Sequence, residues 1–233
     1  MRGGGEEFQG ERVKIEEKFK GVFFIEGRLA TRNLVKDFKV HGERLASIEG
    51  VQYRYWDPYR SKLAAAVIKG MKEMPIKAGS RVLYLGAAAG VTPSFISDIV
   101  GERGVVYCVE FAPRSMRDLL YVCEKRGNML PLLADARKTE QYGEEVGKVD
   151  IIYEDVAQPD QEDIMIKNAQ KFLRRGGYAI LAIKSQSVDV TKQPKEIYEK
   201  LLGRLEKHFE ILECYELSPF DKDHLFVLMK YTQ

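Results

Sequence analysis

Short apolar runs alternate with amphipathic stretches along the chain from about residue 60 onward. The apolar runs predict buried parallel strands, and the stretches between them carry apolar residues at helical spacing. Alternation of this kind predicts an α/β fold with a mostly parallel sheet. The predicted strands cover residues 82–85, 104–111, 129–133, 148–154 and 178–183.

The last two apolar runs, at residues 209–217 and 224–231, flank the turn sequence SPFDKD. Two such runs joined by a polar turn predict a closing β-hairpin. An antiparallel last strand on a mostly parallel sheet departs from the doubly wound dinucleotide pattern and favours a methyltransferase-type arrangement. This inference is an analogy of fold.

The region before residue 58 has a different pattern. Residues 11–55 contain β-rich runs broken by Gly21, Gly27, Gly42 and Gly50, which predicts a small antiparallel sheet. We therefore expect a β-rich N-terminal domain over residues 1–57 and an α/β domain over residues 58–233. The aromatic residues of the N-terminal runs fit either a structural cap on the larger domain or a docking surface for another protein.

Residues 61–74 predict the first helix of the α/β domain, with one apolar stripe that belongs to the core. The stripe consists of Leu63, Ala66, Val67, Gly70, Met71 and Met74. Lys62 lies beside it in the first turn, where the helix dipole mildly disfavours a cation. A solvated lysine is the simplest interpretation of Lys62.

The sequence RVLYLGAAAGVTPSFISD, at residues 81–98, joins a predicted strand to a predicted helix through a loop of small residues. The loop runs from Gly86 through Ala88 to Gly90, and its backbone can lie against a ligand. Thr92 is predicted to cap the helix and Pro93 to begin it. Such a cradle suits a carboxylate or phosphate, although GAAAG lacks the G-x-G-x-x-G spacing of dinucleotide folds.

Acidic residues follow the second and third strands. Glu110 comes 20 residues after Gly90, and a carboxylate at this position binds ribose hydroxyls in nucleoside-binding folds. Asp135 is placed to accept a hydrogen bond from the exocyclic amine of adenine. Each also has a simpler interpretation, since either could cap the helix that follows. The pattern favours a nucleoside cofactor.

Asp155 and Lys184 end the fourth and fifth predicted strands. The carboxyl ends of parallel strands meet at one edge of a sheet, so the two side chains should face the same cleft. A lysine beside a carboxylate in a cleft is well placed to direct a proton. The alternative is a surface ion pair worth about 0–1 kcal/mol.

Composition limits the other possibilities. With 37 Lys and Arg against 35 Asp and Glu, the net charge is +2, so nucleic-acid binding would need a local patch or a partner. Three cysteines without a C-x-x-C pair predict reduced thiols and a cytoplasmic protein. No apolar run is long enough for a signal peptide or a membrane span. The histidines and cysteines have no metal-ligand spacing, so we expect no metal.

Several segments together resemble the fibrillarin family, over about residues 50–231. They are YRSKLAAAVIKG, YLGAAAGVTPSFISDIVG, VYCVEFAPRSMRDLL, LLADARKTEQY, VDIIYEDVAQPDQ, AIKSQSVDVT and DKDHLFV. The short chain is similar to the archaeal form, which lacks a long Gly/Arg-rich tail. Fibrillarins usually have Ser and Thr-Thr in the cradle, where this chain has Ala89, Val91 and Thr92.

The resemblance implies a class I (Rossmann-like) fold that uses S-adenosylmethionine to methylate ribose 2′-hydroxyls of rRNA and tRNA. A box C/D guide RNA would select each position. The resemblance also implies two protein partners, a Nop-type scaffold protein and a kink-turn-binding ribosomal-type protein. These partners would supply the RNA-binding affinity that a net charge of +2 does not predict for this chain alone.

The resemblance also assigns site residues. The family's Lys-Asp-Lys-His set falls on Lys62, Asp155, Lys184 and His224. Its cofactor contacts fall on Val91, Thr92, Glu110, Phe111, Asp135, Ala136, Asp155, Val156, Ala157 and Gln158, next to the cradle residues Gly86 and Ala88. Our hypothesis is that Lys184 acts as general base or stabilises the alkoxide and that Asp155 orients it. His224 and Lys62 would then hold the ribose and phosphate.

Three other functions remain as alternatives. The first is a methyltransferase acting on another atom, such as a base nitrogen or a small molecule. Methylation of a base would need an aromatic and amide clamp, and no Asn-Pro-Pro-Tyr-like loop follows the fourth strand. A non-catalytic scaffold that binds cofactor or RNA predicts binding without product. A dehydrogenase is disfavoured by the loop spacing.

Overall fold

Two β-sheets contain the strands of the computed structural model, which describes residues 6–7, 13–189 and 191–233. The first sheet comprises β1 (Glu6–Glu7), β2 (Ile15–Phe19), β3 (Val22–Ile25), β4 (Arg28–Arg32), β5 (Leu45–Ile48) and β6 (Val51–Tyr55). Its strand order is β1-β5-β6-β4-β3-β2, and all neighbours are antiparallel except β1 and β5. The predicted N-terminal antiparallel sheet is confirmed.

Two tight turns explain why this region forms hairpins. Glu26 and Gly27 link β3 to β4, and Glu49 and Gly50 link β5 to β6. All four residues have positive φ, between 48° and 80°. Two-residue loops of this type match the twist of the strands that they join.

The second sheet has seven strands and includes all the predicted α/β strands. They are β7 (Arg81–Leu85), β8 (Val105–Glu110), β9 (Met129–Leu133), β10 (Val149–Glu154), β11 (Leu173–Lys184), β12 (Phe209–Glu216) and β13 (His224–Tyr231). The order is β12-β13-β11-β10-β7-β8-β9. The strands β7 to β11 are parallel, while β13 is antiparallel to both β11 and β12. The predicted closing hairpin is therefore confirmed.

Helices cover both faces of this sheet. They are α1 (Lys62–Ile68), α2 (Val91–Val100), α3 (Pro113–Lys125), α4 (Gly143–Val146), α5 (Gln161–Phe172), α6 (Ser185–Val188) and α7 (Pro194–Leu205), with a 3-10 turn at Thr139–Gln141. The apolar residues of α1, α2 and α3 share one core, and those of α4, α5 and α7 share a second core on the opposite face. The sheet therefore presents the carboxyl ends of its parallel strands at one edge, between the two helical layers.

The first helix is shorter than predicted. It ends at Ile68, and Gly70 follows with a φ of +102°. This left-handed conformation stops a right-handed helix and favours glycine. The predicted extension to Met74 is therefore wrong, although Met71 is fully buried in the core as expected.

The two sheets share a hydrophobic core. Val22 and Leu29 of the N-terminal sheet belong to the same buried cluster as Tyr84 of β7. Trp56, directly after β6, stacks on Phe95 of α2 with 5.0 Å between ring centroids. Burial of these aromatic surfaces fixes the N-terminal sheet against the α/β part.

None of the helices in the described part of the chain is both long and apolar enough to cross a bilayer.

Candidate active site

The loop between β7 and α2 forms the floor of the site. Gly86 has a φ of +82°, and a Cβ there would lie 2.5 Å from the backbone oxygen of Asp155. The N–H groups of Gly86 and Ala87 donate to the carbonyl of Val109, at 2.9 and 3.0 Å. Only glycine fits this turn, because the loop is held between the ends of β8 and β10.

Helix α2 begins two residues earlier than predicted. Gly90, with a φ of +83°, is the N-cap, and Val91 is the first helical residue. Thr92 is therefore not the cap, and Pro93 is not the first residue of the helix. The Thr92 hydroxyl donates to Ser61 Oγ at 3.0 Å, and Ser61 caps α1. The threonine thus links the starts of two helices.

Glu110 connects the loop to the next helix. Its Oε2 accepts from the Ala88 N–H and its Oε1 from the Ala112 N–H, both at 2.8 Å. Ala112 is the N-cap of α3, so Glu110 holds the backbone immediately before the helix. The Glu110 carboxylate also lines the pocket described next. Ribose binding by Glu110 therefore stays a prediction.

A pocket of about 250 Å³ lies at the carboxyl ends of the parallel strands. It contains every predicted cofactor residue except Val91 and Thr92. Its lining is Gly86, Ala88, Val109, Glu110, Phe111, Ala134, Asp135, Ala136, Asp155, Val156, Ala157, Gln158 and Ile164. Sequence reasoning missed Val109, Ala134 and Ile164, because an apolar pocket wall has the same pattern as a core strand or helix.

Two members of this pocket have distinct environments. Phe111 exposes 64% of its surface and follows the end of β8. Asp135 accepts from the Arg137 N–H at 2.9 Å, as in an Asx turn, so it stabilises the loop after β9. The capping interpretation of Asp135 is thereby replaced by a turn.

Lys62 binds Asp155 across the cleft. Its Nζ lies 2.9 Å from Oδ1 of Asp155 and 3.6 Å from Oδ2 of Asp221. Burial works to lower the pKa of Lys62, but the two carboxylates outweigh it and the net shift is upward. Lys62 is therefore held as a cation rather than as the solvated lysine that its position in the first turn suggested.

Lys184 and His224 lie side by side, since they are register partners on β11 and β13. The backbone N–H of Lys184 donates to Gln161 Oε1 at 3.2 Å. Within residues 13–189 and 191–233, the Lys184 ammonium has no hydrogen bond or ion pair. The hypothesis that Asp155 orients Lys184 is wrong, because Asp155 pairs with Lys62 instead.

The strand register gives the reason. Glu154, the last residue of β10, pairs with Leu181, so β11 continues beyond the end of its neighbour. Lys184 thus lies further from the pocket floor than Asp155, the residue that follows Glu154. Both residues lie at the predicted edge, but they do not form the predicted pair.

Asp221 is a charged site residue that sequence reasoning also missed. His224 is buried, and its Nδ1 lies 2.8 Å from Asp221 Oδ1 and 2.7 Å from the carbonyl oxygen of Lys222. Asp221 therefore joins His224 to Lys62. An acidic residue in a polar turn carries no periodic signal, so no sequence pattern distinguishes Asp221 from other turn residues.

The described residues contain no cluster of three or more His, Cys, Asp or Glu side chains that could hold a metal ion. Their cysteines are unpaired: Cys108 and Cys123 are buried and Cys214 is exposed.

The fold and the site together define a class I (Rossmann-like) methyltransferase fold. The sheet is parallel except for its seventh strand, the cradle contains glycine, and acidic residues follow successive strands. The family model described as fibrillarin matches residues 13–233, and the chain belongs to the fibrillarin family.

Individual relatives agree with this assignment. The fibrillarin-like rRNA/tRNA 2′-O-methyltransferase of Methanopyrus kandleri is 51% identical over 225 residues, which cover 94% of this chain and 97% of the relative. The structure of Aeropyrum pernix fibrillarin with natively bound S-adenosyl-L-methionine matches with a TM-score of 0.86 at 47% identity, over 94% of this chain and 100% of that one. A fibrillarin/Nop5p complex contains a chain with a TM-score of 0.86 at 37% identity, over 93% of this chain and 100% of that one.

Proposed function

We propose that this protein is an RNA ribose 2′-O-methyltransferase that uses S-adenosylmethionine and modifies rRNA and tRNA. The carrying observation is the Lys62–Asp155 ion pair at the wall of the pocket. It joins a cation to the strand end where the cofactor would lie. Family membership and the named activity of the Methanopyrus kandleri relative support the same function.

The pocket residues fit S-adenosylmethionine. A Cβ at Gly86 would collide with the Asp155 carbonyl, so the glycine lets the cradle pack closely against the strand end that lines the pocket. Glu110 would hold the ribose, and Asp135 with Phe111 would border the adenine. When bound, the cofactor supplies an electrophilic methyl group on a sulfonium.

The chain's own residues would align the acceptor. Displacement at a methyl carbon requires the attacking oxygen to lie in line with the leaving sulfur, so positioning is the main demand. Lys184 would lie nearest the 2′-hydroxyl, as general base or as the cation that stabilises charge on the oxygen. Lys62 and His224 would hold the ribose and phosphate, and Asp155 would fix Lys62.

The partners follow from the same proposal. The Nop5p complex of a fibrillarin supports a Nop-type scaffold protein as one partner. We further propose a kink-turn-binding ribosomal-type protein and a box C/D guide RNA, which would select the target position. A net charge of +2 supports dependence on partners for RNA binding.

Two organisational points belong to the proposal. We place the boundary between the N-terminal domain, residues 1–57, and the methyltransferase domain, residues 58–233, between Trp56 and α1. We also propose a cytoplasmic location, which the free cysteines support.

The test is transfer of labelled methyl from S-adenosylmethionine to a guide-paired RNA, with scaffold and kink-turn proteins present. The matched substrate carries a 2′-deoxy sugar at the target position. We expect label on the ribose substrate and none on the deoxy substrate. Label on both would place the site on a base, and tight cofactor binding without label would indicate a non-catalytic scaffold.

A further inference from the structure

The imidazole of His224 has one nitrogen whose protonation the structure fixes. Nδ1 lies 2.7 Å from the carbonyl oxygen of Lys222 and 2.8 Å from Oδ1 of Asp221. A carbonyl oxygen can only accept a hydrogen bond, and an ionised carboxylate is likewise only an acceptor. Nδ1 must therefore carry the proton, and in the neutral ring Nε2 is left with a lone pair.

The other ring nitrogen of His224 faces a pocket. Across the described part of the chain, Nε2 of His224 has no hydrogen-bond partner. His224 lines a pocket of about 390 Å³ on the side of β13 that faces the start of α7. The ring is buried to 92% and its backbone is the register partner of Lys184, so its orientation is constrained.

Asp221 connects this ring to the rest of the site. Its Oδ1 binds the imidazole and its Oδ2 lies 3.6 Å from Lys62 Nζ, which in turn binds Asp155 in the cofactor pocket. One carboxylate therefore sets the position of both a histidine and a lysine. The neighbouring acid Asp223 does not share these contacts, since its carboxylate accepts from Gln186.

We propose that Asp221 is a positioning residue that, together with the Lys222 carbonyl, holds His224 in the Nδ1–H tautomer, so that Nε2 accepts the proton of the ribose 2′-hydroxyl. This assignment rests on the proposed function. The bond that forms joins O2′ to the methyl carbon, and the bond that breaks is the sulfur–methyl bond, whose electron pair remains on sulfur. The proton moves from O2′ to Nε2, and the resulting imidazolium keeps its Nδ1–H on the Lys222 carbonyl, beside the Asp221 carboxylate. His224 then acts as the base, in place of the ribose-holding role given to it in the proposed function, and Lys184 serves as the cation that stabilises charge on the oxygen.

The tautomer is tested without substrate. Nitrogen-15 NMR of histidine-labelled protein, at a pH where the ring is uncharged, distinguishes protonated from unprotonated ring nitrogens. The chain has three histidines, so the His224→Gln variant assigns the signal. We expect the proton on Nδ1 in the wild type. A proton on Nε2 would overturn the proposal, whatever the enzyme's activity.

The positioning role is tested with two variants of equal charge change, Asp221→Asn and Asp118→Asn, of which the second changes an exposed acid on α3. We expect Asp221→Asn to lower kcat about 10- to 100-fold, because the ring loses its carboxylate but keeps the Lys222 carbonyl. Cofactor affinity should stay within about twofold, and Asp118→Asn should retain wild-type kcat. Equal rates for the two variants would overturn the role of Asp221. Absence of methyl transfer by the wild type would instead refute the proposed function, while the tautomer would still be measured.

Discussion

Arg54 and Asp98 form an ion pair of 2.8 Å, and neither side chain is exposed. Arg54 belongs to β6 of the N-terminal sheet and Asp98 to α2 of the methyltransferase fold. Asp98 also binds Arg126 at 2.7 Å, and Glu43 binds the other side of the Arg54 guanidinium. The Arg54 guanidinium also packs on the Phe95 ring of α2, with 4.2 Å to the ring centroid. A buried network of charges thus fixes the two sheets to each other.

Removing the centre of this network should destabilise the protein strongly. Asp98→Ala leaves Arg54 and Arg126 buried without their shared carboxylate, and we expect a loss of about 3–5 kcal/mol in the free energy of unfolding. Denaturant titration measures it. The control Asp118→Ala removes an exposed acid from α3 and should change stability by less than about 0.5 kcal/mol. Equal effects of the two substitutions would show that the network does not stabilise the fold.

Glu154 gives the protein a distinct pH dependence. Burial, reinforced by the nearby Asp160, Glu162 and Asp155, raises the pKa of Glu154 well above its ordinary value, and neither carboxyl oxygen has a hydrogen-bond partner among the described residues. The folded state therefore keeps this proton at pH values where the unfolded chain releases it. Its contribution to stability is largest below the unfolded pKa, roughly 4.3, and falls as pH rises towards the folded pKa.

Glu154→Gln should remove this dependence, because the amide does not ionise. We expect the variant to gain stability relative to the wild type as pH rises from 5 to 8, measured by thermal unfolding across that interval. Glu145→Gln, at an exposed position on α4, serves as the control and should follow the wild-type curve. If the stability difference between wild type and Glu154→Gln stayed constant from pH 5 to 8, Glu154 would already be ionised in the folded protein.

Gly86→Ala tests the cradle. Gly86 and Gly79 both have a φ of +82°, but a Cβ at Gly86 would meet the Asp155 carbonyl, whereas nothing lies within 4 Å of one at Gly79. Both variants should lose about 1 kcal/mol of stability from backbone strain. Only Gly86→Ala should weaken S-adenosylmethionine binding, by more than about tenfold, because Asp155 must move. Calorimetric titration would contradict this if the two variants bound the cofactor equally well.

Lys184 and Asp155 should separate chemistry from cofactor binding. Lys184→Ala is expected to lower single-turnover methyl transfer by about 100-fold or more and to leave the cofactor Kd within about twofold. Asp155→Ala should impair both, since Asp155 lines the cofactor pocket and binds Lys62. Lys200→Ala, an exposed lysine on α7, is the matched control. Parallel loss of rate and affinity in Lys184→Ala would remove its assigned role.

The sheet and most of the pocket were predictable because their signals are local. Apolar runs followed by small or acidic residues fix where parallel strands end, so Glu110, Asp135 and Asp155 could be placed at one edge from the sequence. The start of α2 was misplaced because Thr92 has the side chain of a good N-cap. Gly90 reaches the left-handed conformation first, which frees Thr92 to bond Ser61.

Pairings between distant residues were not predictable in the same way. Lys62 and Asp155 are 93 residues apart, and the strand pattern of the sequence paired Asp155 with Lys184 instead. The register of β10 against β11 decides between the two lysines. The buried pair of Arg54 and Asp98 is likewise invisible in a β-rich run and a helix, since charged residues in such patterns usually face solvent.

The hydrogen bond between Thr92 and Ser61 has a mechanical consequence. Ser61 caps the helix that carries Lys62, and Thr92 lies in the first turn of the helix that follows the cofactor loop. A displacement of that loop would therefore reach the start of the lysine's helix through a single 3.0 Å hydrogen bond. We accordingly expect filling of the cofactor pocket and placement of Lys62 to be coupled.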